Sequence, residues 1–256
     1  MSGTDSPERY SRQELVPQLG RRGQEKLAQG RIGLIGCGAL GSFVASLLVR
    51  AGVGYLRIVD RDYPELHNLH RHALLTEEDV QRRIPKAVAA AEHLREANSA
   101  VEVEPRVEEI DSGSMEEFAA GLDLVVDGTD NFAPRFVINQ HMVDQGRPWV
   151  YGGVIGSSGM SMTIVPGQGP CLRCLVHDLP AREQAPTADV AGVLGTVVAV
   201  IGSVEAMEAI KLLVDPNTRN RRLLVVDVWD TTFDRLEVPR DPACPACGSG
   251  RRESSP

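Results

Sequence analysis

The chain has 256 residues, the size of one large α/β domain or of one domain with a small appendage, and it is long enough to bury a substantial core. Its 42% hydrophobic and 24% charged residues are those of an ordinary globule, and a net charge of −8 gives no reason to expect nucleic acid or an anionic membrane as partner. Any phosphate site must therefore be local; with no apolar h-region in MSGTDSPERY there is no secretory signal, so a cytoplasmic protein is expected.

Residues 1–8 are small and polar and are expected to be disordered. Residues 9–27 mix apolar positions at helical spacing with breaks at Pro17 and Gly20, which predicts an N-terminal arm within 1–30. The next stretch, Arg31 to Asp60, organises the rest. A short apolar run, Ile32 to Ile35, enters Gly36, Gly38 and Gly41. A helical pattern follows (Phe43, Val44, Leu47, Leu48), then a stop at Gly52 and Gly54 and a second β-branched run ending at Asp60. Glycines at a strand-to-helix turn bring bare backbone N–H groups to a phosphate, and the helix N-terminus adds partial positive charge. An acidic residue closing the next strand accepts hydrogen bonds from a ribose. The pattern predicts nucleotide binding by Gly36, Gly38, Gly41 and Asp60 without saying which nucleotide. Cys37, inside the turn, is read as inert packing in preference to a nucleophile.

Residues 61–84 are too polar and irregular for a strand and are read as a long functional loop, and Pro85 suits the first position of a helix running to Asn98. His67, His70 and His72 in that loop are read as surface or phosphate-neighbouring groups in preference to a metal cluster. Strands are predicted at 101–107, 123–127 and 149–154, with a short helix at 114–120 and a longer one at 132–145. This alternation implies a Rossmann-like, mainly parallel sheet with helices on both faces and ligands outside the carboxyl ends of the strands. Asp130, in the TDN run just past such an end, is a site candidate on position alone. Beyond Val154, GMSMTIV, LLVVDVW and FDRLEV predict antiparallel strands, with a mobile crossing loop over 176–189. The apolar stretch 190–214 carries Glu205, Glu208 and Lys211 and reads as a buried helix, not a membrane span. The division expected is an arm at 1–30, a nucleotide-binding part at 31–165, a part at 166–248 belonging to the same domain, and a disordered tail at 249–256.

Five cysteines in a reducing compartment point to metal or chemistry before disulfides. CLRC at Cys171 and Cys174 and CPAC at Cys244 and Cys247 are two C-x-x-C knuckles, each able to grip one face of a tetrahedral Zn²⁺. Four thiolates with no open position make a structural site that would tie the C-terminal tail to the body of the domain. Two unrelated thiol pairs, or one redox pair, are the alternative.

Taken in order, RYSRQ at 9–13, GCGALGS at 36–42, AGVG at 51–54, VDRD at 59–62, NLHR at 68–71, Pro85-Lys86, TDN at 129–131 and the two knuckles resemble the MoeB/ThiF/HesA family, bacterial relatives of ubiquitin-activating enzymes. The resemblance runs from Arg9 to Cys247. It implies a homodimer that uses Mg·ATP to adenylate the C-terminal glycine of a small ubiquitin-fold sulfur carrier of the MoaD or ThiS kind. It further implies that Asp60 binds the ribose and that Ala39, with Gly38 and Gly41, packs against the nucleotide. Asn68, Arg71 and Lys86 would hold the phosphates, Asp130 would bind Mg²⁺ with Asn131 beside the nucleotide, and Arg12 would reach into the partner subunit's site. Three departures stand out: Ala39 where a glycine is usual, His72 where a glutamine is commoner, and Ala188 where many relatives carry a loop cysteine, so no covalent carrier intermediate is expected there. With no rhodanese-like extension after Cys247, sulfur is expected from a separate donor protein. An NAD-dependent oxidoreductase is allowed by the glycines and Asp60, and a relative acting on tRNA or an inactive scaffold subunit are further alternatives.

Overall fold

The computed structural model describes residues 8–178 and 191–248. Eight strands among them form one sheet in the order β3-β2-β1-β4-β5-β6-β7-β8. β1 (Arg31–Ile35), β2 (Tyr55–Val59), β3 (Glu102–Arg106), β4 (Leu124–Asp127) and β5 (Trp149–Ile155) are parallel. β6 (Ser158–Ile164), β7 (Leu223–Asp227) and β8 (Thr232–Leu236) continue the sheet antiparallel. After β1 the chain winds outward through β2 and β3, then returns to place β4 on the other side of β1. The carboxyl ends of β1 and β4 therefore flank the switch point where open α/β sheets bind ligands.

Helices cover both faces because β1 alternates its side chains. Ile32 and Leu34 enter one apolar layer together with α2 (Ala39–Ala51), α4 (Lys86–Ala97) and the long helix α8 (Gly195–Val214). Ile35 enters the other layer, with α5 (Met115–Ala119) and α6 (Phe132–Asp144). Gly33 faces that second layer, where a Cβ would stand 2.5 Å from Leu122 and 2.9 Å from Phe118, so the glycine admits the helix. Two minor helices, α1 (Gly20–Leu27) and α7 (Leu172–Leu175), flank the sheet.

Three details differ from the sequence reading. The segment 61–84 is not plain loop: it holds a 3-10 turn at Leu66–Arg71 and the helix α3 (Glu77–Arg82), whose start is fixed by a reciprocal Thr76–Asp79 capping box. Pro85 is the N-cap of α4, not its first helical residue: its ψ of 144° is extended, and the free Lys86 N–H that follows donates to Asp62 O. The apolar stretch begins its helix at Gly195, and no helix of the described residues is long and apolar enough to cross a membrane. Most of the predicted crossing loop, with Ala188, lies outside the described residues, as do residues 1–7 and the tail 249–256.

Candidate functional site

The crevice between β1 and β4 is built from glycine backbone. Gly36 has φ +88°, and a Cβ there would meet Gly128 O at 2.7 Å; a Cβ on Gly41 would meet Gly36 O at 2.0 Å. Gly36 and Gly41 are thus required by close packing of the β1 end, the β4 end and the first turn of α2. Gly38 is different: the nearest atom to a Cβ built there is 4.0 Å away, so the missing side chain leaves open space at the N-cap of α2. Ala39 is the first residue of that helix and half-buried. Bare N–H groups at this helix start, beside open space, are an anion cradle.

Asp60 sits at the end of β2. Its Oδ2 accepts the Cys37 N–H and its Oδ1 the Asp62 N–H, both at 2.8 Å, which holds the glycine turn against the β2 end. Burial raises its carboxyl above the ordinary value, opposed first by nearby Lys86. Each oxygen retains a lone pair for a ribose hydroxyl. The Cys37 thiol is buried with its pKa pushed far up, as inert packing requires.

Lys86 is 8% exposed, with Nζ 3.5 Å from Asp62 Oδ2. Asn68 and Arg71 share the 3-10 turn, where Arg71 donates to Asn68 Oδ1. Ser42 binds this segment to α2 by accepting the Ala73 N–H at 3.0 Å. His72 is pressed among Lys86, Arg71 and His70; burial, then those charges, lower its pKa to about 4, so it is neutral at pH 7. His67 and His70 are exposed, and among the described residues the histidines form no metal-binding group. The site thus gathers Asp60, Asn68, Arg71 and Lys86 at one end of the sheet.

Past β4, Asp130 and Asn131 are exposed, and their side chains bond to each other at 3.2 Å. Beneath them is a buried network that sequence reasoning missed. Arg135 of α6 bonds Asp127 Oδ2 at 2.8 Å, Thr129 O at 2.6 Å and Gly152 O at 2.9 Å, while Asp127 Oδ1 accepts both the N–H and the hydroxyl of Thr129. Both charges are buried, and burial pushes the Asp127 carboxyl up against the pull of Arg135. Glu205 of α8 lies close by, fully buried with no hydrogen-bond partner for either oxygen. Burial, then the Asp127 charge, hold its pKa well above the ordinary value. A Cβ on Gly152 would stand 2.3 Å from that carboxyl, so the glycine makes its room. The available signal was Asp127 itself, a carboxylate ending the apolar run LVVD.

Arg12 stands elsewhere. The arm is pinned by Tyr10, whose ring fills the space over Gly52 and whose hydroxyl accepts from Asn98, and by Gln13, which donates to Ala51 O. Those anchors are at the C-terminal end of α2, whereas the crevice is at its N-terminus, a helix length of about 20 Å away. Arg12 is exposed and far beyond side-chain reach of its own chain's crevice.

The four knuckle cysteines converge, apart from the crevice, with their Sγ atoms all within 4.8 Å of one another. Cys171 and Cys244 approach to 3.6 Å and Cys174 and Cys247 to 3.4 Å. Buried Asn139, also missed in the sequence, orients the first knuckle: its Oδ1 accepts the Leu172 N–H at 3.0 Å and its Nδ2 lies 3.7 Å from Cys171 Sγ. A Cβ on Gly248 would meet the Pro242 carbonyl at 2.5 Å, so the second knuckle closes only with glycine there. Four soft donors at tetrahedral spacing fit a zinc ion.

The doubly wound sheet, the glycine cradle at its switch point and the carboxylate closing β2 define a nucleotide-binding α/β protein. The ThiF family model matches residues 10–246, and the chain belongs to the ThiF family and is an adenylyltransferase. The chain is 41% identical over 247 residues to the sulfur carrier protein ThiS adenylyltransferase of Bacillus subtilis, covering 94% of this chain and 71% of that protein. It is 38% identical to the SAMP-activating enzyme E1 of Haloferax volcanii, covering 96% and 91%. A crystal structure of E. coli MccB with MccA-N7isoASN superposes with a TM-score of 0.82 over 96% of this chain and 76% of that one. At 22% identity that likeness concerns the fold.

Proposed function

We propose that this adenylyltransferase uses Mg·ATP to form an acyl adenylate on the C-terminal glycine of a ubiquitin-fold sulfur carrier of the MoaD or ThiS kind. The observation that carries the reading is the convergence of a ribose-type carboxylate, Asp60, with the cations Arg71 and Lys86 beside a bare helix N-terminus. Hydride transfer to a nicotinamide calls for no such pair of cations. The relatives named for sulfur carriers support the substrate class.

In the reaction, a carboxylate oxygen of the carrier bonds to the α-phosphorus, the α–β bridge bond breaks, and pyrophosphate leaves with its electron pair. The attacking carboxylate is already ionised at neutral pH, so no general base is required. Catalysis is alignment and charge neutralisation, with Arg71 and Lys86 on the phosphates, Asn68 and Asn131 beside them, and neutral His72 adding no competing charge. Asp130 fits Mg²⁺ as an exposed hard oxygen ligand, and the ion would supply further neutralisation of the phosphate oxygens. The protein works as a homodimer and passes the adenylate to an external sulfurtransferase or persulfide donor.

With a Gly-Gly carrier, Mg²⁺ and labelled pyrophosphate, label is expected to exchange into ATP, and Asp130→Ala is expected to abolish the exchange. Wild-type exchange by Asp130→Ala, or tight NAD binding without ATP binding, would overturn the reading.

Zinc held by Cys171, Cys174, Cys244 and Cys247 closes the loop between the knuckles, and its binding free energy is coupled to folding. Elemental analysis is expected to find about one zinc per chain, and chelation to lower the unfolding temperature. A metal-free protein of unchanged stability would exclude the site.

A further inference from the structure

α8 is a rod of 20 residues with the phosphate-holding segment at one end: a Cβ built on Gly195 would stand 2.8 Å from His70 O. Near its other end Lys211 joins Arg219, Arg221, Arg222 and Arg235 in lining a concave pocket of about 290 Å³. At 1.5 Å per residue Lys211 lies about 24 Å along the axis from Gly195, so this pocket is separate from the nucleotide crevice.

Five cations and no carboxylate line it, in a chain of net charge −8. Lys211 is paired with Glu208 at 2.6 Å and Arg222 with Glu237, and the same Glu208 charge, just behind the lining, partly offsets Arg219. Arg219 is fixed and 6% exposed, its guanidinium donating to Pro216 O at 2.7 Å and Gln168 Oε1 at 2.9 Å. Arg221 is close enough to oppose the charge on Arg219. The side chains of Arg221 and Arg235 are exposed and make no ion pair or hydrogen bond among the described residues. A guanidinium does not escape like-charge crowding by losing its proton, so a bound anion would relieve it. Uncommitted guanidinium forks match an oxyanion bidentately, and the volume is at the small end of ligand pockets.

We propose that this pocket is a second anion site that takes inorganic phosphate or a small phosphate ester, remote from the ATP crevice. Thr218 and Asn220, which complete the lining, are its reporters. The test is a ¹⁵N NMR titration of the full chain with inorganic phosphate at constant ionic strength in chloride, alongside an Arg221→Ser/Arg235→Ser variant. Both replaced side chains are exposed and unbonded, so folding and pyrophosphate exchange are expected to be unchanged. The wild type is expected to show saturable shifts at the Thr218 and Asn220 amides, with the variant's Kd raised roughly tenfold or more, since two charge-assisted contacts are removed. Sulfate competing with phosphate while chloride does not would support an oxyanion site. Shifts that never saturate, shifts confined to residues 68–86, or an unchanged Kd in the variant would overturn it.

Discussion

Arg135→Ala is expected to destabilise the protein by about 3–5 kcal/mol, because it strips the partner from a fully buried carboxylate. Asp127 has no solvent to turn to, and Glu205 beside it is a second buried carboxyl, whose ionisation the Asp127 charge opposes and Arg135 favours. Against a typical domain stability of about 5–15 kcal/mol, such a loss lowers the yield of folded protein visibly. The informative comparison is therefore Arg135→Met combined with Asp127→Asn. Removing both charges at once leaves none uncompensated, so the double variant is expected to unfold at higher urea than Arg135→Ala, with clear non-additivity between the sites. Stability and activity then separate. The double variant lacks the bonds from Arg135 to Thr129 O and Gly152 O, which fix the turn carrying Asp130, so pyrophosphate exchange is expected to fall even where folding is restored. Double-variant stability no better than that of Arg135→Ala would show that burial of the carboxylate is not what the arginine compensates.

That network marks the limit of what the chain discloses in one dimension. The Arg31–Asp60 unit is legible because strand, glycine turn, helix and strand are contiguous, and glycines at a strand-to-helix turn are a signal that residue type alone carries. The two knuckles are legible for a similar reason: a spacing of two residues is itself a geometry, and thiolates have few other uses in fours. Asp127, Arg135 and Glu205 come from β4, α6 and α8, and their meeting depends on the order of strands in the sheet. Read locally, Glu205 is an interruption in an apolar run; it becomes part of the network only once Gly152 is seen to leave room for it. The segment 61–84 was under-read because its short helices are specified by caps and by anchors such as Ser42 and Asp62, with little apolar periodicity to reveal them.

Arg12→Ala is expected to lower the rate of adenylation on the order of a thousandfold with little effect on folding, by analogy with arginines supplied in trans to phosphoryl transfer. The geometry makes the direction of action testable. Tyr10 and Gln13 hold the arm at the C-terminal end of α2, about 20 Å from the crevice at its N-terminus, while an arginine side chain reaches only about a third of that distance. An Arg12 that serves catalysis must therefore serve the crevice of a second copy of the chain. Arg12→Ala and Asp130→Ala homodimers are each expected to be nearly inactive. Mixed under proven subunit exchange, about half the dimers are heterodimers, and each of these holds one crevice with both residues intact and one with neither. Activity is expected to recover to about a quarter of the wild-type value. Recovery of nothing would place Arg12 outside the reaction, because its own crevice is beyond its reach.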